Sequence, residues 1–169
     1  MLTNAQKSQI EQDKMIPKEK HFIDSSPFIS VIKMDGKKQL SIRYFARLRS
    51  GFYRGYISFS VYAEVIYIIK RDIKRTEWVS AMYGFLGLID DNNINTVIPD
   101  IENLVRNLQI LKNMEKRVGF TDTRLLADAI SLKMPYFATL DTKMGKRIDD
   151  EAGRELIKIR NINKDLFVK

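Results

Sequence analysis

A chain of 169 residues with 44% hydrophobic and 30% charged positions is long enough for one domain with its own core. That composition excludes both a disordered and a membrane-embedded polypeptide. Lys and Arg number 29 against 21 Asp and Glu, a net charge of +8 that favours a polyanionic partner, nucleic acid before an anionic membrane surface; with no Cys and the single His21, disulfides, thiolate zinc sites, Cys nucleophiles and two-His metal sites are excluded, and any metal is expected to be held by oxygen.

Residues 1–20 read as a polar extension without the apolar run of a signal peptide, with a short helix around Asn4 to Lys14. Residues 21–169 read as one domain with no repeat or linker. The most apolar stretch, Phe59 to Ile69, is too short to span a bilayer and contains Glu64, so a soluble, cytoplasmic protein is expected, with no membrane partner.

The first expected strand is His21-Phe22-Ile23, closed by Asp24, with His21 at a strand edge or in solvent. Ser26 is placed as the N-cap of a helix whose first residue is Pro27 and which stops near Gly36. A second helix covers Lys37 to about Arg49. Tyr56 to Ser60 is the second strand, and Ser60 is expected to cap a helix from Val61 to about Arg75. Thr76 caps a further helix carrying Trp78, Val79, Met82, Phe85, Leu86 and Ile89, in spite of Gly84 and Gly87.

Ile94 to Ile98 is a short strand. Pro99-Asp100 then opens a helix with Ile101, Leu104, Val105, Leu108 and Leu111 on one side, ended by Gly119. The next helix runs from Thr121-Asp122 to Lys133, Tyr136 to Leu140 is a strand closed by Asp141, and a last strand lies within Leu156 to Ile162. Strands alternating with helices predict an α/β fold with a mostly parallel sheet and helices on both faces.

Most acidic side chains are solvated, but a few stand where surface charge does not explain them. Asp24 and Asp141 each follow directly on an apolar strand, and ligands of parallel sheets bind outside the strands' carboxyl ends. Glu64 falls inside the stripe Val61, Val65 and Ile68, and it does not occupy the capping-box position for Ser60. A carboxylate there needs a cation or a proton. Asp122 sits in a first helical turn, where the macrodipole also favours an acid. Asp128 lies about 240° further around that helix and reads as solvated or structural.

Carboxylates around a Mg²⁺ can orient and deprotonate a water and offset the charge of a phosphodiester without His or Cys. Between positions 33 and 54 the basic residues Lys37, Lys38, Arg43, Arg47, Arg49 and Arg54 are candidates for RNA binding. Tyr44, Phe45, Phe52 and Tyr53 interleave them as candidate stacking platforms, with a solvated helix face over buried aromatics as the alternative.

Phe22-Ile23-Asp24-Ser25-Ser26, Ile57-Ser58 to Ala63-Glu64, Asp122 through Leu125-Leu126-Ala127-Asp128-Ala129, and Phe137-Ala138-Thr139-Leu140-Asp141 together resemble the PIN domain, a metal-dependent ribonuclease fold. The resemblance covers nearly all of residues 21–162. It implies a three-layer α/β/α sandwich in which Asp24, Glu64, Asp122 and Asp141 form a catalytic set holding Mg²⁺ or Mn²⁺. Ser26 and Thr139 match the family's small polar positions beside that set. The implied activity is hydrolysis of RNA phosphodiester bonds. Similarity to VapC-type toxins further implies a cognate antitoxin and a homodimer, with Trp78 to Ile89 as a candidate interface.

Two other Asp-at-strand-end folds fit less well. A haloacid-dehalogenase-like phosphatase needs a second Asp where Ser26 stands, and a receiver needs acids adjacent to Asp24. The remaining alternative is a non-catalytic RNA- or partner-binding domain that keeps the PIN fold.

Overall fold

The computed structural model describes residues 19–112, 118–148 and 156–167. The extension expected at the start of the chain, including the helix over Asn4 to Lys14, lies outside them except for its last two residues.

Among the described residues the elements alternate as expected: β1 (Glu19–Ile23), α1 (Ser26–Ile32), α2 (Lys38–Arg49), β2 (Tyr53–Ile57), α3 (Phe59–Asp72), α4 (Trp78–Asp91), β3 (Asn95–Thr96), α5 (Ile101–Leu111), α6 (Phe120–Ser131), β4 (Tyr136–Thr139), α7 (Met144–Arg147) and β5 (Lys158–Asn161). The five strands form one sheet in the order β3-β2-β1-β4-β5, and every pairing is parallel. Helices α1, α2 and α4 pack on one another, α5 packs on α6, and α3 touches members of both groups. The result is the three-layer α/β/α sandwich.

Because β1 is the middle strand, His21, Phe22 and Ile23 are all fully buried, as parallel strands covered on both faces require. Phe22 stacks on Phe137 of β4, with ring centroids 5.8 Å apart. Phe28 of α1 meets Phe45 of α2 at 5.1 Å and Phe85 of α4 at 5.3 Å, which joins those helices through one aromatic core. Gly55 of β2 permits the closest approach, since a Cβ there would stand 2.7 Å from Ile23 Cδ1.

Several expectations are corrected. His21 is neither an edge nor a solvated residue: it is wholly buried, stacked on Tyr53 at 4.3 Å, and its Nδ1 lies 2.8 Å from the Tyr44 hydroxyl. Burial pushes its pKa down to about 4, while the Glu19 carboxylate 3.2 Å from Nε2 pulls the other way. Ser26 is not a cap. Ser25 occupies that position, and Ser26 is the first helical residue. Met34, at φ 54°, turns the chain after α1, so the helix ends before reaching Gly36.

β2 begins earlier than expected and stops before Ser58, which takes the N-cap place expected of Ser60. Its hydroxyl makes a short hydrogen bond to Asp128 Oδ2, so of the two roles expected of Asp128, solvated or structural, it has the structural one, as a buried partner of the start of α3. The stripe that α3 buries is Val61, Val65 and Ile69, with Glu64 half-buried at its margin. On α5, Leu111 is buried but Ile101 is 73% exposed, so the expected apolar face is only partly covered. Gly119, at φ 93°, precedes α6.

Candidate functional site

Asp24 leaves the carboxyl end of β1, and its own N–H donates to Ala138 O at 3.0 Å, which fastens it to the end of β4. Two hydroxyls converge on its Oδ2: Ser26 Oγ donates at 2.6 Å and Thr139 Oγ1 at 2.7 Å. The Ser26 oxygen accepts from Leu140 N at 3.1 Å and the Thr139 oxygen from Asp141 N at 3.0 Å. With those backbone N–H groups on the oxygens, each hydroxyl proton is directed to Asp24. Ser25 N occupies the other carboxylate oxygen at 2.8 Å. Burial nevertheless raises the Asp24 pKa, outweighing all of these hydrogen bonds.

Glu64 faces the same end of the sheet from α3. Burial raises its pKa, Ser25 opposes this as a hydrogen-bond partner, and the Asp24 charge adds to the rise. Its Oε2 is buried without a hydrogen-bond partner among the described residues. Asp122, in the first turn of α6, is pushed up to about 7: burial comes first, then the charges of Asp24, Glu64 and Asp141, with Arg147 acting in the opposite sense. The charges of Asp24, Glu64 and Asp141, carried by β1, α3 and the end of β4, therefore all act on Asp122 of α6, and that of Asp24 also acts on Glu64.

Asp141 is held differently. Its Oδ1 accepts from Lys143 N at 2.8 Å and its Oδ2 from Arg147 Nη1 at 3.0 Å, with about a third of the side chain exposed. Arg147 had no mark in the sequence, because a basic residue six positions after an Asp has no helical or strand logic of its own. Among the described residues no three acidic or His side chains already surround a common point.

The donor set still suits a hard cation. The ligand atoms are all carboxylate oxygens, the orphaned Glu64 oxygen lacks a proton donor, and the charge of the cluster is compensated by Arg147 alone among the groups that shift Asp122.

The basic candidates are spread along α2 and β2. Lys37 reaches the site, its Nζ donating to Leu140 O at 3.0 Å. Lys38 opens α2 beside it, whereas Arg43, Arg47 and Arg49 follow down the helix toward the start of β2. Arg54 lies opposite Lys20 at the amino edge of the sheet. Arg47 covers the Phe52 ring at 4.6 Å, and Arg49 donates to Asp91 O at 3.0 Å. Tyr44, Phe45 and Tyr53 are buried in the core and offer no face to a base, which leaves Phe52 as the exposed member of that group.

In comparison with known proteins, the PIN domain matches residues 21–150. The chain belongs to the PIN domain family. No curated protein matches the sequence. Three solved structures are similar to this PIN domain. VapBC-1 from nontypeable Haemophilus influenzae is 19% identical with a TM-score of 0.60, over 86% of this chain and 99% of the other. VapBC2 from Rickettsia felis, bound to a DNA fragment from their promoter, is 16% identical with a TM-score of 0.61, over 84% and 98%. DNA-bound VapBC from Salmonella typhimurium is 19% identical with a TM-score of 0.62, over 86% and 99%. At such identities the likeness is one of fold.

Proposed function

We propose that this PIN domain is a metal-dependent endoribonuclease and the toxin of a toxin–antitoxin pair, with Asp24, Glu64, Asp122 and Asp141 as its catalytic and metal-holding carboxylates. The observation that carries the reading is that Asp122, raised first by burial, is raised further by the charges of Asp24, Glu64 and Asp141, a coupling that surface carboxylates do not have. The family membership supports the nuclease, and the likeness to VapBC structures supports the toxin.

A bound Mg²⁺ or Mn²⁺ supplies a water made nucleophilic at neutral pH and offsets the negative charge of the phosphodiester. Asp24 is oriented for that ion by Ser26 and Thr139, the supporting polar residues. Glu64 would offer that ion its unpartnered oxygen, and Asp122 would hold it in its deprotonated form. Lys37 puts a positive charge at the mouth of the site, and the net +8 draws RNA toward carboxylates that otherwise repel it.

A toxin of this class takes an antitoxin and forms a homodimer. Val79, Tyr83 and Leu86 support α4 as the contact surface, since they form an exposed apolar stripe at i, i+4 and i+7. Among the described residues no helix is long and apolar enough to cross a membrane.

Cleavage of a broad RNA panel with Mg²⁺ or Mn²⁺, its loss in EDTA, and its loss in Asp24→Asn and Asp141→Asn variants that still fold are the expected results. Wild-type protein that leaves every RNA uncut in both metals overturns the reading. The Asp141–Arg147 ion pair favours a second reading, a non-catalytic RNA- or partner-binding domain, because it closes one carboxylate without any metal. That reading predicts RNA affinity unchanged by Asp24→Asn and Asp141→Asn, and no dependence on metal.

A further inference from the structure

Helices α3 and α6 part beside the carboxylates and leave a cleft of about 310 Å³ lined by Ser60, Glu64, Tyr67, Arg71, Phe120 and Arg124. Glu64 belongs both to this cleft and to the carboxylate cluster, so an occupant of the cleft adjoins the ion site. Its two arginines are not equivalent. Arg71 is committed to Asp72, with contacts of 2.6 and 3.0 Å, and lies over the Tyr67 ring at 5.5 Å. Arg124 is held only by its Nε, which donates to Ser60 Oγ at 3.1 Å, and no carboxylate among the described residues pairs with it. The Ser60 hydroxyl thus aims a guanidinium whose remaining N–H groups meet no acceptor among the described residues.

Phe120, 67% exposed, stands at the rim of the same cleft. A bare aromatic ring next to an uncommitted guanidinium, with the carboxylates adjoining, matches one ligand chemistry: a flat π face joined to a phosphate. We infer that the α3–α6 cleft is a subsite for one unpaired nucleotide flanking the scissile phosphate, with Phe120 stacking on the base and Arg124 engaging the phosphate. A paired base keeps its faces inside the duplex and cannot meet Phe120, so the subsite selects single-stranded RNA. The inference rests on the ribonuclease reading for its scissile phosphate, and its test avoids the reaction.

The test uses the Asp24→Asn protein in EDTA, with binding of a short fluorescent oligoribonucleotide of mixed sequence followed by anisotropy. Phe120→Ala and Arg124→Ala are each expected to weaken binding at least about fivefold, and Phe120→Tyr to retain it. Arg106→Ala, which removes the same charge from exposed α5, is expected to change affinity less than about twofold. A duplex of the same sequence is expected to bind more weakly and to ignore Phe120→Ala. Both cleft side chains are exposed, so the variants should fold, as circular dichroism can establish.

Three results overturn the inference. One is absence of binding in the Asp24→Asn parent. Another is an equal loss for Arg106→Ala and Arg124→Ala with none for Phe120→Ala. The last is a change from dimer to monomer in Phe120→Ala, by light scattering, at unchanged RNA affinity. Cleft-dependent binding alongside a wild-type protein that cuts no RNA sustains the subsite and overturns the nuclease. Cleavage without cleft-dependent binding does the reverse.

Discussion

The Ser26 hydroxyl donates to Asp24 Oδ2 at 2.6 Å while its own oxygen accepts the Leu140 N–H, so the strand β4 backbone sets the direction in which Ser26 gives its proton. Thr139 repeats the arrangement from β4 itself. These hydrogen bonds hold down a carboxyl that burial drives up.

Removing them should weaken the ion site without touching a ligand. Ser26→Ala and Thr139→Val are each expected to lower Mn²⁺ affinity by about 10–100-fold, by calorimetric titration, with circular dichroism unchanged. Affinity equal to wild type in both variants would mean that Asp24 needs no orientation.

With Asp122 in the proposed ion site, metal binding depends on pH. Its pKa is raised to about 7, so below neutrality the carboxyl holds a proton that a cation must displace. Apparent Mn²⁺ affinity should climb between about pH 6 and pH 8 in the wild type and flatten in Asp122→Asn. The same shift has a sign for stability. A folded pKa above the ordinary 3.8 contributes stability at low pH that is lost as pH rises through about 7. Without metal, Asp122→Asn should therefore resist urea better than wild type at pH 8.

His21 acts in the opposite direction. Its pKa falls from 6.5 unfolded to about 4 folded, so the native state resists protonation that the unfolded chain accepts. Its contribution is intact above pH 6.5 and is lost as pH falls toward about 4, on the order of 3 kcal/mol across that window. Denaturant titrations of wild type and His21→Gln at pH 7 and pH 4.5 isolate the effect, since both carry the same carboxylates. Equal pH dependence in the two proteins would remove His21 from the account.

Gly55 tests the packing between β2 and the α2 layer. A methyl there meets Ile23 Cδ1 at 2.7 Å, Leu48 at 3.1 Å and Ile94 at 3.2 Å. Gly55→Ala should cost about 1–3 kcal/mol in urea unfolding, and Ile23→Val in the same chain should recover part of that loss by removing the nearest atom. A double variant no better than the single one would place the conflict elsewhere.

The legible part of the chain was what local pattern controls. Alternation of apolar runs with helical stripes found every strand among the described residues within a few positions, and Glu64 announced itself as an acid beside the buried stripe of α3. What stayed hidden depended on partners far along the chain. Ser58 follows β2 and gives its hydroxyl to Asp128, 70 residues on, and nothing near Ser58 encodes that. Ser26 has every local mark of a cap, yet its proton is claimed by Asp24 and its oxygen by Leu140. His21 looked peripheral because its strand begins the domain in sequence, whereas in space that strand is the middle of the sheet. The aromatics between the arginines read equally as stacking platforms or core, and only packing could divide Phe52 from Tyr44, Phe45 and Tyr53.

Strands β1 and β4 are neighbours whose outgoing connections part company: the chain leaves β1 toward β2 and leaves β4 toward β5, on the other side. A crack opens between the two departures as a matter of connectivity, and Asp24 and Asp141 stand on its lips. Asp24 is fixed by Ser25, Ser26, Ala138 and Thr139, and Asp141 by Lys143 and Arg147, so among the described residues the longer excursions that follow add no hydrogen bond to either carboxylate. Exchanging those excursions would alter what can enter the crack while the acids stay in register, so this scaffold can change its target faster than its chemistry.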